Sequence, residues 1–131
     1  MKKILLIEDD KWFADSIVSI LKKDFEIRVC YDPENVFEIL EKWSPDLLLA
    51  DVMLGEKNLF VLLNEIQSYQ DTRNLDVVIL SSAATQIKRR DVAKYNVKKV
   101  LDKAEITPND LRKTLNELRG KRSMDESDPT H

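Results

Sequence analysis

Three short apolar runs constrain this chain more than anything else in it, because each is unbroken and each ends abruptly in a polar group. They are Ile4 to Ile7 before Glu8, Asp9 and Asp10; Leu47 to Leu49 in "PDLLLADVML" before Asp51; and Val77 to Leu80 before Ser81 and Ser82. A run without polar alternation suits a strand covered on both faces, and such strands lie in the middle of parallel sheets. A carboxylate at the exit of a central strand stands where open α/β sheets bind their ligands. Asp51 is therefore the residue to follow.

The stretches between these runs read as helices and marginal strands. From Trp12 to Lys23, Phe13, Ile17, Ile20 and Leu21 fall on one helical stripe, with Asp9 or Asp10 as the cap. Glu26 to Cys30 alternates, as a strand near a sheet edge does. Asp32-Pro33 opens a second helix to about Trp43, turning Val36, Leu40 and Trp43 inward, and Ser44-Pro45 stops it. Leu59, Leu63 and Ile66 mark a third helix. A fourth, roughly Ala84 to Tyr95, has a weak stripe of Ile87 and Val92. Lys98 to Leu101 is a short last strand, and Thr107-Pro108 with Asp110 starts a helix that buries Leu111, Leu115 and Leu118.

Five strands alternating with five helices predict crossover connections and an α/β fold, a five-stranded parallel sheet with helices on both faces. Strands 1, 3 and 4 are the apolar ones, which agrees with the flavodoxin-like order 2-1-3-4-5. At 131 residues with 43% hydrophobic content, one domain with a real core is expected. It should span residues 1–119, with 120–131 a disordered tail, a truncated linker or a cloning remnant.

Charge narrows the partners. The 21 basic and 24 acidic side chains leave a net charge of -3, so no global basic field argues for nucleic acid, and no DNA-binding motif is present. The single Cys30 cannot form an internal disulfide, and the only histidine is His131, so a reduced, cytoplasmic setting fits. The basic N-terminus carries too short an apolar stretch for a signal peptide or a membrane span, and the chain is expected to be soluble. Trp12, Trp43 and Tyr95 read as packing residues. Lys88, Arg89, Arg90, Lys94, Lys98 and Lys99 read as a solvated face, or else as a surface for an acidic partner.

In a parallel sheet every carboxyl end lies on one edge, so Glu8, Asp9, Asp51, Ser81 and Lys103 converge despite their separation in sequence. Crowded carboxylates repel one another unless a cation joins them, and hard oxygen ligands with room for water suit Mg²⁺. A carboxylate nucleophile, a metal, a hydroxyl and a flexible ammonium together form a phosphoryl-transfer arrangement. Ser82 is an alternative to Ser81 for the hydroxyl.

These residues resemble the receiver domains of two-component response regulators. The resemblance covers about residues 2 to 119 and rests on "ILLIEDD", "PDLLLADVML", "VVILSSA" and "VLDKAE", with gaps of 30 residues from Asp51 to Ser81 and 22 from Ser81 to Lys103. It implies that Asp51 accepts a phosphoryl group from a sensor histidine kinase or phosphotransferase. It further implies that Glu8, Asp9, Asp51 and the backbone carbonyl of Met53 hold Mg²⁺ or Mn²⁺, and that Ser81 and Lys103 bind phosphoryl oxygens. The protein would not be an enzyme beyond self-phosphorylation and slow dephosphorylation, since Met53 and Ala83 offer no polar group to orient water. Phosphorylation would switch a surface of helix 4, strand 5 and helix 5 toward a downstream protein or an output domain, in a monomer or a phosphorylation-dependent dimer.

Four positions depart from the family pattern. Val100 replaces the usual aromatic, Ala104 replaces the proline after the lysine, and Gly55 and Leu59 stand at the usual proline and glycine positions after the acceptor. A trans Lys103-Ala104 bond is expected to displace Lys103, unless a strained cis bond is kept. These departures motivate a rival reading as an interaction module that works without phosphorylation. An aspartate-nucleophile phosphohydrolase is disfavoured because Met53 stands where its acid/base aspartate belongs.

Overall fold

The computed structural model describes residues 2–51, 53–54, 57–82, 87–88 and 92–127; at 53–54, 57–58 and 119–127 the description is of the backbone. Five parallel strands form one sheet: β1 (Lys2–Ile7), β2 (Phe25–Cys30), β3 (Leu47–Ala50), β4 (Asp76–Ser81) and β5 (Val97–Asp102), in spatial order 2-1-3-4-5. The expected α/β architecture is the observed one. Its cause is visible in the burial, since Ile4 to Ile7, Leu47 to Ala50 and Val77 to Ser81 are buried without interruption, whereas β2 exposes Glu26 and Arg28 as an edge strand does.

Alternate residues of the central strands feed two cores. On one face Leu5, Ile7, Leu48, Ala50 and Ile79 pack against Val36 of α2 (Val36–Lys42) and Leu59, Leu63 and Ile66 of α3 (Leu59–Ser68). On the other, Ile4, Leu6, Leu49, Val78 and Leu80 meet Ala14, Ile17 and Leu21 of α1 (Lys11–Leu21) and Leu111 and Leu115 of the C-terminal helix (Pro108–Ser127). Strand register then lines up the exits. Ile7 pairs with Ala50 and Ala50 with Ile79, so Glu8 and Asp51 leave the sheet side by side.

The helix starts follow local chemistry. Asp10 is the cap of α1, its Oδ1 accepting from the Trp12 and Phe13 amides at 3.0 and 3.1 Å. Asp32 accepts from Glu34 at 2.9 Å, but what it opens is a 3₁₀ turn, Pro33–Asn35, that leads into α2. Thr107 accepts from the Asp110 amide at 3.1 Å, as its sequence predicts.

Several expectations need correcting. Trp12 is 88% exposed and is no packing residue, unlike Trp43 at 6% and Tyr95 at 5%. It stands beside the Phe13 stripe, and a helix turns about 100° per residue, which carries it off the buried face. The expected helix from Ala84 to Tyr95 lies mostly outside the described residues. Where it is described, Ile87 and Lys88 are not helical, Val92 is, and Ala93–Tyr95 is a 3₁₀ turn, ended by Asn96 in the left-handed region at φ 60°. The backbone of the C-terminal helix is described to Ser127.

Candidate functional site

The carboxyl ends of β1, β3, β4 and β5 build one cluster of ionisable and polar groups. Glu8 and Ser81 are nearly sealed, at 2% and 1% exposure, and Asp51 is buried at 9%. Lys103 follows β5 and its ammonium reaches both acids, lying 2.6 Å from Glu8 Oε1 and 2.9 Å from Asp51 Oδ2. The backbone fixes this reach: the Lys103 amide donates to the Ser81 carbonyl at 3.0 Å, and Asp102 Oδ1 accepts from the Ala104 amide at 2.9 Å.

No described peptide bond is cis, yet Lys103 still points at Asp51, so the expected displacement does not occur. The four-carbon stem of lysine absorbs the change in backbone direction that a different bond geometry would bring. Of the other positions singled out, Leu59 is fully buried and Val100 half-buried, while Gly55 and the Met53 and Ala83 side chains lie outside the described residues.

The electrostatics follow from burial and pairing. Burial pushes the Glu8 carboxyl above its ordinary value, opposed by the Lys103 hydrogen bond and charge and by the Asp10 amide, which donates to Oε2 at 3.1 Å; neighbouring Asp9 adds to the rise. Burial alone would lower Lys103, but hydrogen bonds and attraction from Glu8 and Asp51 outweigh it and raise the ammonium. Lys103 therefore stays charged at neutral pH, and one ammonium is shared by two acids.

Asp9 is exposed, with its carboxyl beside that of Glu8. Among the described residues no three His, Cys, Asp or Glu side chains are grouped to hold a metal ion. The donor chemistry still fits a hard divalent cation: the oxygen donors of Glu8 and Asp51 share a single ammonium, with the exposed Asp9 next to Glu8 in the chain.

One participant escaped the sequence. Phe13 was legible only as part of a helical stripe, but its ring centre lies 4.2 Å from the Lys103 Nζ, where the ring face attracts the ammonium. Only the crossing of α1 over the strand exits brings the two together, and no spacing signals it.

Comparison with known proteins agrees with this geometry. The profile of the response regulator receiver domain family matches residues 4–116, and the chain belongs to that family. The transcriptional regulatory protein CpxR of Escherichia coli (strain K12) is 30% identical over 90 residues, which is 68% of this chain but 37% of that protein. The chain thus spans little more than a third of the length of this relative. A receiver domain protein from Methanospirillum hungatei JF-1 superimposes with a TM-score of 0.82 at 18% identity, covering 95% of this chain and 98% of that one. The receiver domain of the sensor histidine kinase PA1611 from Pseudomonas aeruginosa PAO1, solved with a magnesium ion in its active-site cleft, gives 0.76 at 20% identity over 88% of this chain and 95% of that one. At such identities the superpositions speak for the fold. Among the described residues no helix is long and apolar enough to cross a membrane.

Proposed function

We propose that this receiver domain takes a phosphoryl group onto Asp51 from a phosphohistidine of a sensor histidine kinase or phosphotransferase, and works in the cytoplasm. A carboxylate oxygen of Asp51 forms the new bond to phosphorus as the phosphorus-nitrogen bond breaks, and the electron pair of that bond returns to the imidazole of the donor. Lys103 carries the argument. It is a cation already within hydrogen-bond distance of Asp51, where negative charge grows on the transferring oxygens, and it is held there by its own backbone and by Glu8. Ser81, at the exit of the neighbouring strand, would donate its hydroxyl to a phosphoryl oxygen.

Glu8, Asp9, Asp51 and the carbonyl of Met53 would hold Mg²⁺ or Mn²⁺, which supplies charge neutralisation when bound. The magnesium in the Pseudomonas aeruginosa receiver domain supports this assignment by similarity. The chain is not an enzyme in the ordinary sense, since its chemistry ends on its own side chain. Output would pass through the segment before β5, β5 itself and the C-terminal helix.

Intact-mass measurement after incubation with Mg²⁺ and a small phosphodonor such as acetyl phosphate tests the proposal. The wild type should gain one phosphoryl group and Asp51→Asn none. A wild type that gains nothing with either Mg²⁺ or Mn²⁺ would replace this reading with the phosphorylation-independent interaction module.

A further inference from the structure

On the face that carries α2 and α3, beside the outer edge of β5, an open groove of about 510 Å³ is lined by Ile87, Val92, Val97 and Val100 and rimmed by Lys98 and Lys99. Val92 is buried, while Ile87, Val97 and Val100 are half-buried and pack on the core beneath. Lys98 and Lys99 are exposed, and so are Lys88 and Lys94, the residues that directly follow Ile87 and Ala93 in the chain. Apolar floor and basic rim thus coincide. The β5 register shifts between Val77 and Val78, which lets Val97 and Val100 share one face and leaves two lysines between them.

We infer that this groove is a docking site for a protein segment that presents apolar side chains flanked by carboxylates, with one bulky apolar side chain entering beside Val100. The inference deepens the reading of this face as the output surface and names the chemistry of its partner. Valine is small, so the volume above Val100 is left for the partner to fill. The exposed ammonium groups of Lys98 and Lys99 on the rim favour acidic segments and repel basic ones. Lysines on an edge strand also discourage strand-to-strand pairing, which argues against a second copy of this chain adding its own edge to β5. Lys98 is partly committed, 3.9 Å from Asp76, so Lys99 carries more of the expected selectivity.

The test uses a short synthetic peptide with Leu and Phe on one helical face and Glu on the other, and a twin with Lys in place of every Glu. Fluorescence anisotropy should show the acidic peptide binding and the basic twin failing. Amide shifts in ¹H-¹⁵N spectra should cluster at Ile87, Val92 and Val97 to Val100. Lys99→Glu leaves the Lys98 pair intact and should weaken binding several-fold; Lys98→Glu with Lys99→Glu should weaken it by about tenfold or more. Val100→Phe should weaken it by occupying the groove. Equal binding of both peptides, no binding of the acidic one, shifts centred elsewhere, or an unchanged Kd in the double variant would each overturn the inference. So would sedimentation showing that the groove is closed by self-association that the same lysine variants abolish. Phosphoryl uptake on Asp51, read on the same samples, separates the two readings: uptake lost with peptide binding retained overturns the phosphoacceptor and upholds the groove.

Discussion

Lys103→Met removes the one cation that Glu8 and Asp51 share, and the structure sets the size of the effect. Two unit charges 2.6 to 2.9 Å apart attract by about 6 kcal/mol at an effective dielectric near 20, and Lys103 makes two such contacts. Burial of the groups and repulsion between the carboxylates cancel most of this, and the 18% exposure of the lysine side chain screens more. A loss of about 2–4 kcal/mol remains, because truncation leaves two buried carboxylates facing each other. Urea titration should show it as a lower midpoint, and heating as a fall of about 8–16 °C at about 4 °C per kcal/mol.

Glu8→Gln should cancel part of the loss, since the amide removes one of the stranded charges; the coupling expected is about 1–3 kcal/mol. Saturating Mg²⁺ should narrow the gap between wild type and variant by neutralising the same carboxylates. The pH arm has a definite sign. Lys103 is raised above 10.5 in the fold, so its contribution is complete below the ordinary lysine value and disappears as pH rises through the raised one. Wild type should therefore lose stability in that alkaline window by a component that Lys103→Met lacks. A loss under about 1 kcal/mol, or an equal loss in the Glu8→Gln background, would refute the shared-cation account.

Three further outcomes follow from the fold. Asp10→Ala removes the acceptor of two first-turn amides and should cost about 1 kcal/mol in urea titration. Leu48→Ala, at a position fully buried in the central strand, should cost about 2–5 kcal/mol by the same measurement. Cys30 is 2% exposed, and burial pushes its thiol up, helped by Asp32 and opposed by the hydrogen bond to the Asp32 carbonyl. It should resist a thiol reagent in the native protein at neutral pH and react fully in urea.

The central strands were legible because burial on both faces leaves no polar alternation to confuse the reading, and parallel topology then dictates which residues meet at the exits. Glu8, Asp51, Ser81 and Lys103 meet for that reason alone. Helix starts were legible where a short polar side chain has one geometric task, as at Asp32 and Thr107. The choice between Asp9 and Asp10 was not legible, because adjacent carboxylates look alike until the chain's path off β1 turns one toward the first-turn amides and leaves the other in solvent. The stretch before β5 carries a weaker signal: Ile87 and Val92 are five residues apart, a spacing that commits to no helical face. The position of Lys103 was misjudged because local bond geometry was weighed without the slack in a long side chain.

The two tryptophans divide optical labour in a way that makes the chain its own instrument. Trp43 is sealed and its indole N–H is held by Glu26 at 3.1 Å, so its emission should stay blue and indifferent to the solvent. Trp12 stands in solvent on the first turn of α1, tied through Asp10 to Glu8 by two successive hydrogen bonds. Acrylamide can silence Trp12 selectively, and the difference signal is a continuous readout of the strand exits that needs no attached dye.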